Sequence, residues 1–364
     1  LKELVRRVGQ RFMVGWEGHE PSIHLKQLIR DFGVGHVILF ARNVDGPEQV
    51  AELIRELQSL ARGAGHELPL LVAVDQEGGR VARLREPWTV WPPLRAVGRT
   101  GSEDVARRLG EALAAELAAC GLRLDFAPVM DVDTNPQNPV IGDRSLGDDP
   151  DLVGRLGAAL IRGLQAGGVA ACAKHFPGHG DTEVDSHLDL PAVDHARPRL
   201  EEVELLPFRK AIEAGVATIM TAHVLVRELD DQLPATLSPR VLTALLRKEM
   251  HYDGVVVGDD LEMKAVAERW PPAASAVLAA KAGCDILPVC KGPDAQVEAL
   301  EAVIRALEAE EISWSEMDDA SDRIRRLKER FLLPHRDPDP KEALRAAGAH
   351  RALAREIEER GGAV

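Results

Sequence analysis

Several features are missing from this chain, and each absence closes a class of function. Its four cysteines, Cys120, Cys172, Cys284 and Cys290, form no C-x-x-C pair. They read as buried free thiols of a reducing compartment. No apolar stretch reaches the ~18 residues that a membrane-spanning helix needs. No basic block offsets the net charge of −14, which argues against a nucleic-acid or anionic-membrane partner and for a small molecule. No G-x-G-x-x-G follows the first apolar run, and no G-x-S-x-G elbow occurs, so neither a dinucleotide site nor an activated serine is indicated. No signal-peptide core precedes the amphipathic start Leu1-Lys2-Glu3-Leu4-Val5. A cytoplasmic location is the default expectation. The missing initiator Met leaves a cleaved signal or lipid anchor open.

What is present is an alternation. Of the 364 residues 45% are hydrophobic, enough to fill a sizeable core. Short apolar runs recur eight times: Phe12 to Gly15, Val34 to Phe40, Leu68 to Asp75, Leu122 to Val132, Val169 to His175, Ala217 to Val224, Gly254 to Asp259 and Cys284 to Val289. Helical patterns lie between them. Ser102 is placed as an N-cap before Glu103 and Asp104 with Gly121 as the stop, and Ser313 with Glu316 forms a capping box. Eight strand–helix alternations predict an α/β fold, a single (β/α)8 TIM barrel, rather than an open sheet. The barrel is expected over residues 1–335. Asp337-Pro338-Asp339-Pro340 breaks its last helix, and 336–364 reads as a short helical extension packed on the barrel.

Ionisable residues gather at the ends of the strand segments. The third run ends in Asp75-Gln76-Glu77-Gly78-Gly79-Arg80, the fourth leads through Asp131 and Asp133 to Arg144, and the fifth delivers Lys174 and His175. His223 ends the sixth, and Gly258-Asp259-Asp260 the seventh. In a barrel these ends converge on one face. The segment 174–187 packs three histidines, three acids, a lysine and two glycines into fourteen positions, with Pro177, Gly178 and Gly180 forbidding a helix. A metal site at His175, His179, Asp181, Asp185 and His187 would suit these residue types. Against it, Lys174 and Arg144 would stand beside the cation, and no spacing matches a helical His-x-x-x-His pair or a facial triad on adjacent strands, since Pro177 and Gly178 between His175 and His179 forbid a helix.

Glycoside cleavage needs a carboxylate on one side of the anomeric carbon and a proton donor on the other. Asp259, at the end of Val255-Val256-Val257-Gly258, is placed as a rigid strand-end nucleophile. Asp185 precedes His187 by two, so in an extended segment both share a face and the carboxylate can orient the imidazole.

The blocks 174–182 and Asp185-Ser186-His187 resemble the signature of the β-N-acetylglucosaminidase branch of family 3 glycoside hydrolases. Val74 to Val81, Asn138 to Ser145 and Gly254 to Met263 resemble that family's other blocks in the same order. The resemblance implies a retaining enzyme of one (β/α)8 barrel, working without a cofactor through a covalent glycosyl-aspartate. It makes Asp259 the nucleophile, His187 the general acid/base and Asp185 its partner. Asp75, Arg83, Arg144, Lys174 and His175 match positions that hold the terminal sugar's hydroxyls and N-acetyl group, with His223 and Met263 nearby. Gly258 departs from the Ser or Thr that commonly precedes the nucleophile. The substrate so implied is terminal GlcNAc on muropeptide, anhydro-muropeptide or chito-oligosaccharide fragments. The oligomeric state is not legible in the sequence, and a monomer is the default expectation. A phosphorylase of the same fold and a non-catalytic GlcNAc-binding protein stand as alternatives.

Overall fold

The apolar runs fold because neither face of them meets water. In the computed structural model, which describes residues 2–183 and 190–362, eight parallel strands form one sheet: β1 Phe12–Val14, β2 His36–Leu39, β3 Leu71–Val74, β4 Leu124–Asp125, β5 Ala170–Phe176, β6 Thr218–Thr221, β7 Val255–Val257 and β8 Leu287–Val289. Each pairs with its neighbour in chain order, β1 pairs with β8, and a parallel bridge between Val257 and Ile286 closes the ring. All eight strand segments read from the sequence are therefore strands, in a (β/α)8 barrel. Successive side chains point to opposite faces. Met13 and Ile38 fill the lumen with Leu71, Ala73, Leu124, Ala170, Cys172 and Val255, whereas Val14, Val37, Leu39, Val72 and Val74 face the helices. A strand buried on both sides needs a continuous apolar run, which is why no polar alternation marks these segments.

The helical layer follows its caps. Helix α1 is Lys2–Gly9, and α2, Glu103–Ala119, starts where Ser102 accepts the Val105 N–H. Helix α3 is Pro150–Ala166, capped by Asp149. Helix α4, Trp314–Leu332, carries the Ser313–Glu316 capping box, and sends Ile324, Leu327, Phe331 and Leu332 into the N-terminal mouth of the barrel. That mouth is thus plugged, and the C-terminal mouth is free for chemistry. Helix α5, Pro340–Gly361, begins after Asp339 as N-cap and lies along α2 and Leu94–Thr100. There Glu116 of α2 accepts from Thr89 and pairs with His350 of α5 at 2.9 Å. The four cysteines are buried and free. No described helix is long and apolar enough to cross a membrane.

Candidate active site

At the C-terminal mouth, the loops after the strands enclose a cavity of about 370 Å³. Its floor is apolar: Ile38, Phe126 and Met220 belong to the lumen core, so the cavity ends on packed side chains. Its walls carry Asp75, Arg80, Arg83, Arg144, Lys174, His175, His179, Asp259, Asp260, Met263 and Lys291.

Strand β3 supplies one wall. Directly after it, Gln76–Gly78 turns back on Val81–Ala82 as a small antiparallel hairpin. Gly78 sits at φ 101, and a Cβ there would stand 2.5 Å from the Pro92 carbonyl, so only glycine fits this turn. The hairpin swings Glu77 inward, where it receives both nitrogens of a bidentate Arg144 at 2.8 and 2.9 Å and Lys174 Nζ at 2.6 Å. Lys174 also reaches Asp75 at 3.0 Å, and Arg83 reaches the other Asp75 oxygen at 3.3 Å. Burial alone would push both carboxyls up, but the cations outweigh it. Arg144 and Lys174 hold Glu77 well below the usual carboxylate range, and Lys174 and Arg83 lower Asp75. Burial likewise opposes the charge on Lys174 and Arg144, and the facing carboxylates reverse it, so both cations are held charged.

Strand β5 presents Lys174 and His175, which are consecutive residues and would ordinarily face opposite sides. The register against β6 shifts between Ala173 and Phe176, and this irregularity lets both line the cavity. Asp131, wholly buried, fixes the second of them. It accepts His175 Nδ1 at 2.7 Å, the His175 backbone N–H at 3.2 Å and the His179 N–H at 2.7 Å. Burial pushes the Asp131 carboxyl up, the neighbouring His175 pulls it further down, and it stays ionised. The carboxylate can only accept, so Nδ1 of His175 carries the proton and Nε2 is the second ring position. His179 is pushed down to about 4, chiefly by burial, and bonds Thr182 Oγ1 at 2.7 Å. Gly180 lies against β4's extension so closely that a Cβ would fall 1.7 Å from the Val132 carbonyl.

Strand β7 delivers Asp259 and Asp260. The Asp259 N–H donates to Thr221 Oγ1 at 3.2 Å, and its Oδ1 accepts the Asp260 N–H at 2.8 Å, which holds the carboxylate at the cavity wall. Asp260 is turned to other work. Its Oδ1 accepts the N–H groups of Glu262 and Cys290, each at 3.2 Å. Burial, with Glu262 and Asp259 adding to it, pushes Asp260 up to about 6. Around Gly258 a Cβ would meet nothing nearer than Pro288 Cδ at 3.4 Å, so the space for a serine exists and is unused.

Of the residues singled out in the sequence, Asp75, Arg83, Arg144, Lys174, His175, Asp259 and Met263 come together around this cavity. His223 is not among the residues that line the cavity. It is fully buried, bonded to Thr236 Oγ1 at 2.8 Å and, through Nε2, to the Asp260 carbonyl at 2.9 Å, so it supports the turn that carries Asp259. Asp185 and His187 lie outside the described residues. Of the flanking groups, Asp181 pairs with His195. Among the described residues no group of three or more His, Cys, Asp or Glu is arranged to hold a metal ion. Two residues central to the site, Glu77 and Asp131, are not singled out by the sequence as its members. Each is an acid at a strand end, and the polar cluster there is their only signal.

Comparison with known proteins agrees with this geometry. Residues 4–327 match the glycosyl hydrolase family 3 N-terminal domain. The chain is 38% identical over 326 residues to beta-hexosaminidase A of Pseudoalteromonas piscicida, a match that takes in 84% of this chain and 54% of that protein. The chain thus spans about half the length of that relative. To a beta-hexosaminidase of Alkalilimnicola ehrlichii it is 41% identical over 301 residues, 81% of this chain and 83% of the relative. A solved structure of a glycoside hydrolase family 3 beta-N-acetylglucosaminidase from Paenibacillus sp. str. FPU-7 superposes with a TM-score of 0.92 at 41% identity, covering 98% of this chain and 68% of that one.

Proposed function

The chain belongs to glycosyl hydrolase family 3, and from that membership we propose that it is an exo-acting, retaining β-N-acetylglucosaminidase. The observation that carries the reading is the blind cavity, floored by Ile38, Phe126 and Met220 and walled on one side by Asp259 and on the other by the Asp75–Lys174–Glu77–Arg144 network. A pocket of about 370 Å³ that ends on the barrel core suits one terminal sugar ring. Carboxylates and fixed cations suit vicinal hydroxyls and an amide carbonyl. In the proposed reaction an Asp259 oxygen attacks the anomeric carbon as the aglycone oxygen leaves, protonated by His187. Water, deprotonated by the same imidazole, then displaces the aspartate, and Asp185 orients His187 throughout.

The substrates we assign are GlcNAc-terminated muropeptide, anhydro-muropeptide or chito-oligosaccharide fragments. Trapping with a 5-fluoro GlcNAc donor tests the chemistry: the label should sit on the peptide containing Asp259, and label elsewhere would overturn the assignment. Product analysis on chitobiose beside a GlcNAc–anhydro-muramyl disaccharide separates the substrates.

A phosphorylase is the second reading, favoured by Lys291, which lines the cavity and forms no salt bridge among the described residues. An imidazole acid/base would not repel phosphate as a carboxylate would. Glycosyl phosphate formed in phosphate buffer would replace hydrolysis as the conclusion. GlcNAc binding without turnover of an aryl glycoside would instead indicate a binding protein.

A further inference from the structure

At the opposite mouth of the barrel a second cavity, of about 690 Å³, opens between α1, residues 65–68 and α4. Lys328 of α4 lines it, although the residue is only 1% exposed. Its Nζ donates to Gln10 Oε1 at 2.8 Å, and among the described residues it forms no salt bridge. A buried ammonium facing only a neutral amide is unusual, since buried charges are normally paired. Burial pushes it down to about 7, so near neutral pH a large share is free amine.

Arg6 lines the same cavity and donates Nη1 and Nη2 to the Gly65 and Ala64 carbonyls, yet its Nε is buried with no partner among the described residues. His66, on the wall, bonds the Ile29 carbonyl through Nε2 at 2.9 Å, and burial lowers its basicity. His36, buried below, also has an unpartnered Nε2. Of the acids on the wall, Asp322 pairs with Arg325 at 2.6 Å, and Glu3 and Glu67 are exposed at the rim.

We propose that Lys328 is a carbamylation site for dissolved carbon dioxide, with Arg6 as the counter-cation of the carbamate. The Nζ lone pair attacks the carbon of CO2, an N–C bond forms, one C=O π pair moves onto oxygen, and the nitrogen releases one proton to solvent. The remaining N–H keeps its bond to Gln10. The two new oxygens bring acceptors into the cavity that Arg6 also lines, where its Nε has none among the described residues. CO2 is small enough to reach a nearly enclosed amine, and its reaction requires the unprotonated form.

The test is alkylative trapping. The protein equilibrated with 13C-bicarbonate is treated with a trialkyloxonium salt, and the alkyl carbamate is located by peptide mass spectrometry. We expect labelled carbamate on Lys328, several-fold above exposed Lys2 and Lys281, and a several-fold loss of occupancy in Arg6→Met. A matching 13C resonance should vanish in Lys328→Met. Because the site is read from the wild-type protein, the test survives if that variant does not fold. Label confined to the N-terminal amine and surface lysines, or Lys328 occupancy unchanged in a folded Arg6→Met, would overturn the proposal.

Discussion

Glu77 and Lys174 meet at 2.6 Å with side chains 1% and 2% exposed, one from the hairpin after β3 and one from β5. The carboxylate is shared, because Arg144 takes both of its oxygens as well. Removing it would leave two buried cations with only Asp75 to answer them. Glu77→Ala is expected to destabilise the fold by about 3–5 kcal/mol, the usual result of breaking a buried ion pair from one side. Urea denaturation measures this, and a loss below about 1 kcal/mol, the level of a surface pair, would refute the shared-anchor role.

Asp259→Ala should abolish turnover of an aryl GlcNAc substrate while the circular dichroism spectrum is unchanged, because a covalent mechanism has no replacement for that oxygen. Asp260→Ala should retain far more activity, since its carboxylate is committed to the Glu262 and Cys290 N–H groups. The reverse ranking would make Asp260 the nucleophile.

Asp260 also predicts a pH dependence of stability. Its carboxyl stands at about 6 in the folded protein, against about 3.9 for an unfolded chain, so the folded state binds the proton more tightly. Its contribution is therefore favourable below pH ~4 and is lost as pH rises through ~6. Asp260→Asn keeps an acceptor for both N–H groups without the charge. It should be more stable than the parent at pH 7 by at most about 3 kcal/mol, from a shift of about two units. The advantage should disappear near pH 4, and a difference constant across pH 4–7 would count against the raised pKa.

His187→Ala should strongly slow substrates with poor leaving groups yet spare activated aryl glycosides, which depart without a proton. Asp185→Ala should act in the same direction but less severely, having removed only the orienting partner. Steady-state kinetics on both substrate types decides it. Equal slowing would mean another group is the acid. The candidates would then be Glu262 and Asp181, although Glu262 accepts the Lys291 and Gly292 N–H groups and Asp181 pairs with His195.

Signals that act over a few residues are legible in the sequence itself. Apolar runs buried on both faces become β1 to β8, Ser102 and Ser313 cap the helices where their hydroxyls reach the third N–H, and the Asp337–Pro340 break separates α4 from α5. Strand-end positions are legible for the same reason, and the barrel topology alone sends Asp75, Lys174 and Asp259 to one mouth.

Contacts between distant segments are not legible there. Asp75, Gln76 and Glu77 look alike as polar residues in a row, and only barrel closure brings Lys174, ninety-nine positions beyond Asp75, to bridge the first and the third. His223 ends a strand, but its bonds to Thr236 and to the Asp260 carbonyl depend on the fold bringing 236 and 260 beside it. Nothing local sets Lys328 apart from the other charges of 314–332, and only the packing of α4 on the barrel removes it from water. Periodicity and capping are local energies that a sequence displays. Burial and pairing across the barrel depend on which surfaces the completed fold presses together, and only tertiary structure decides that.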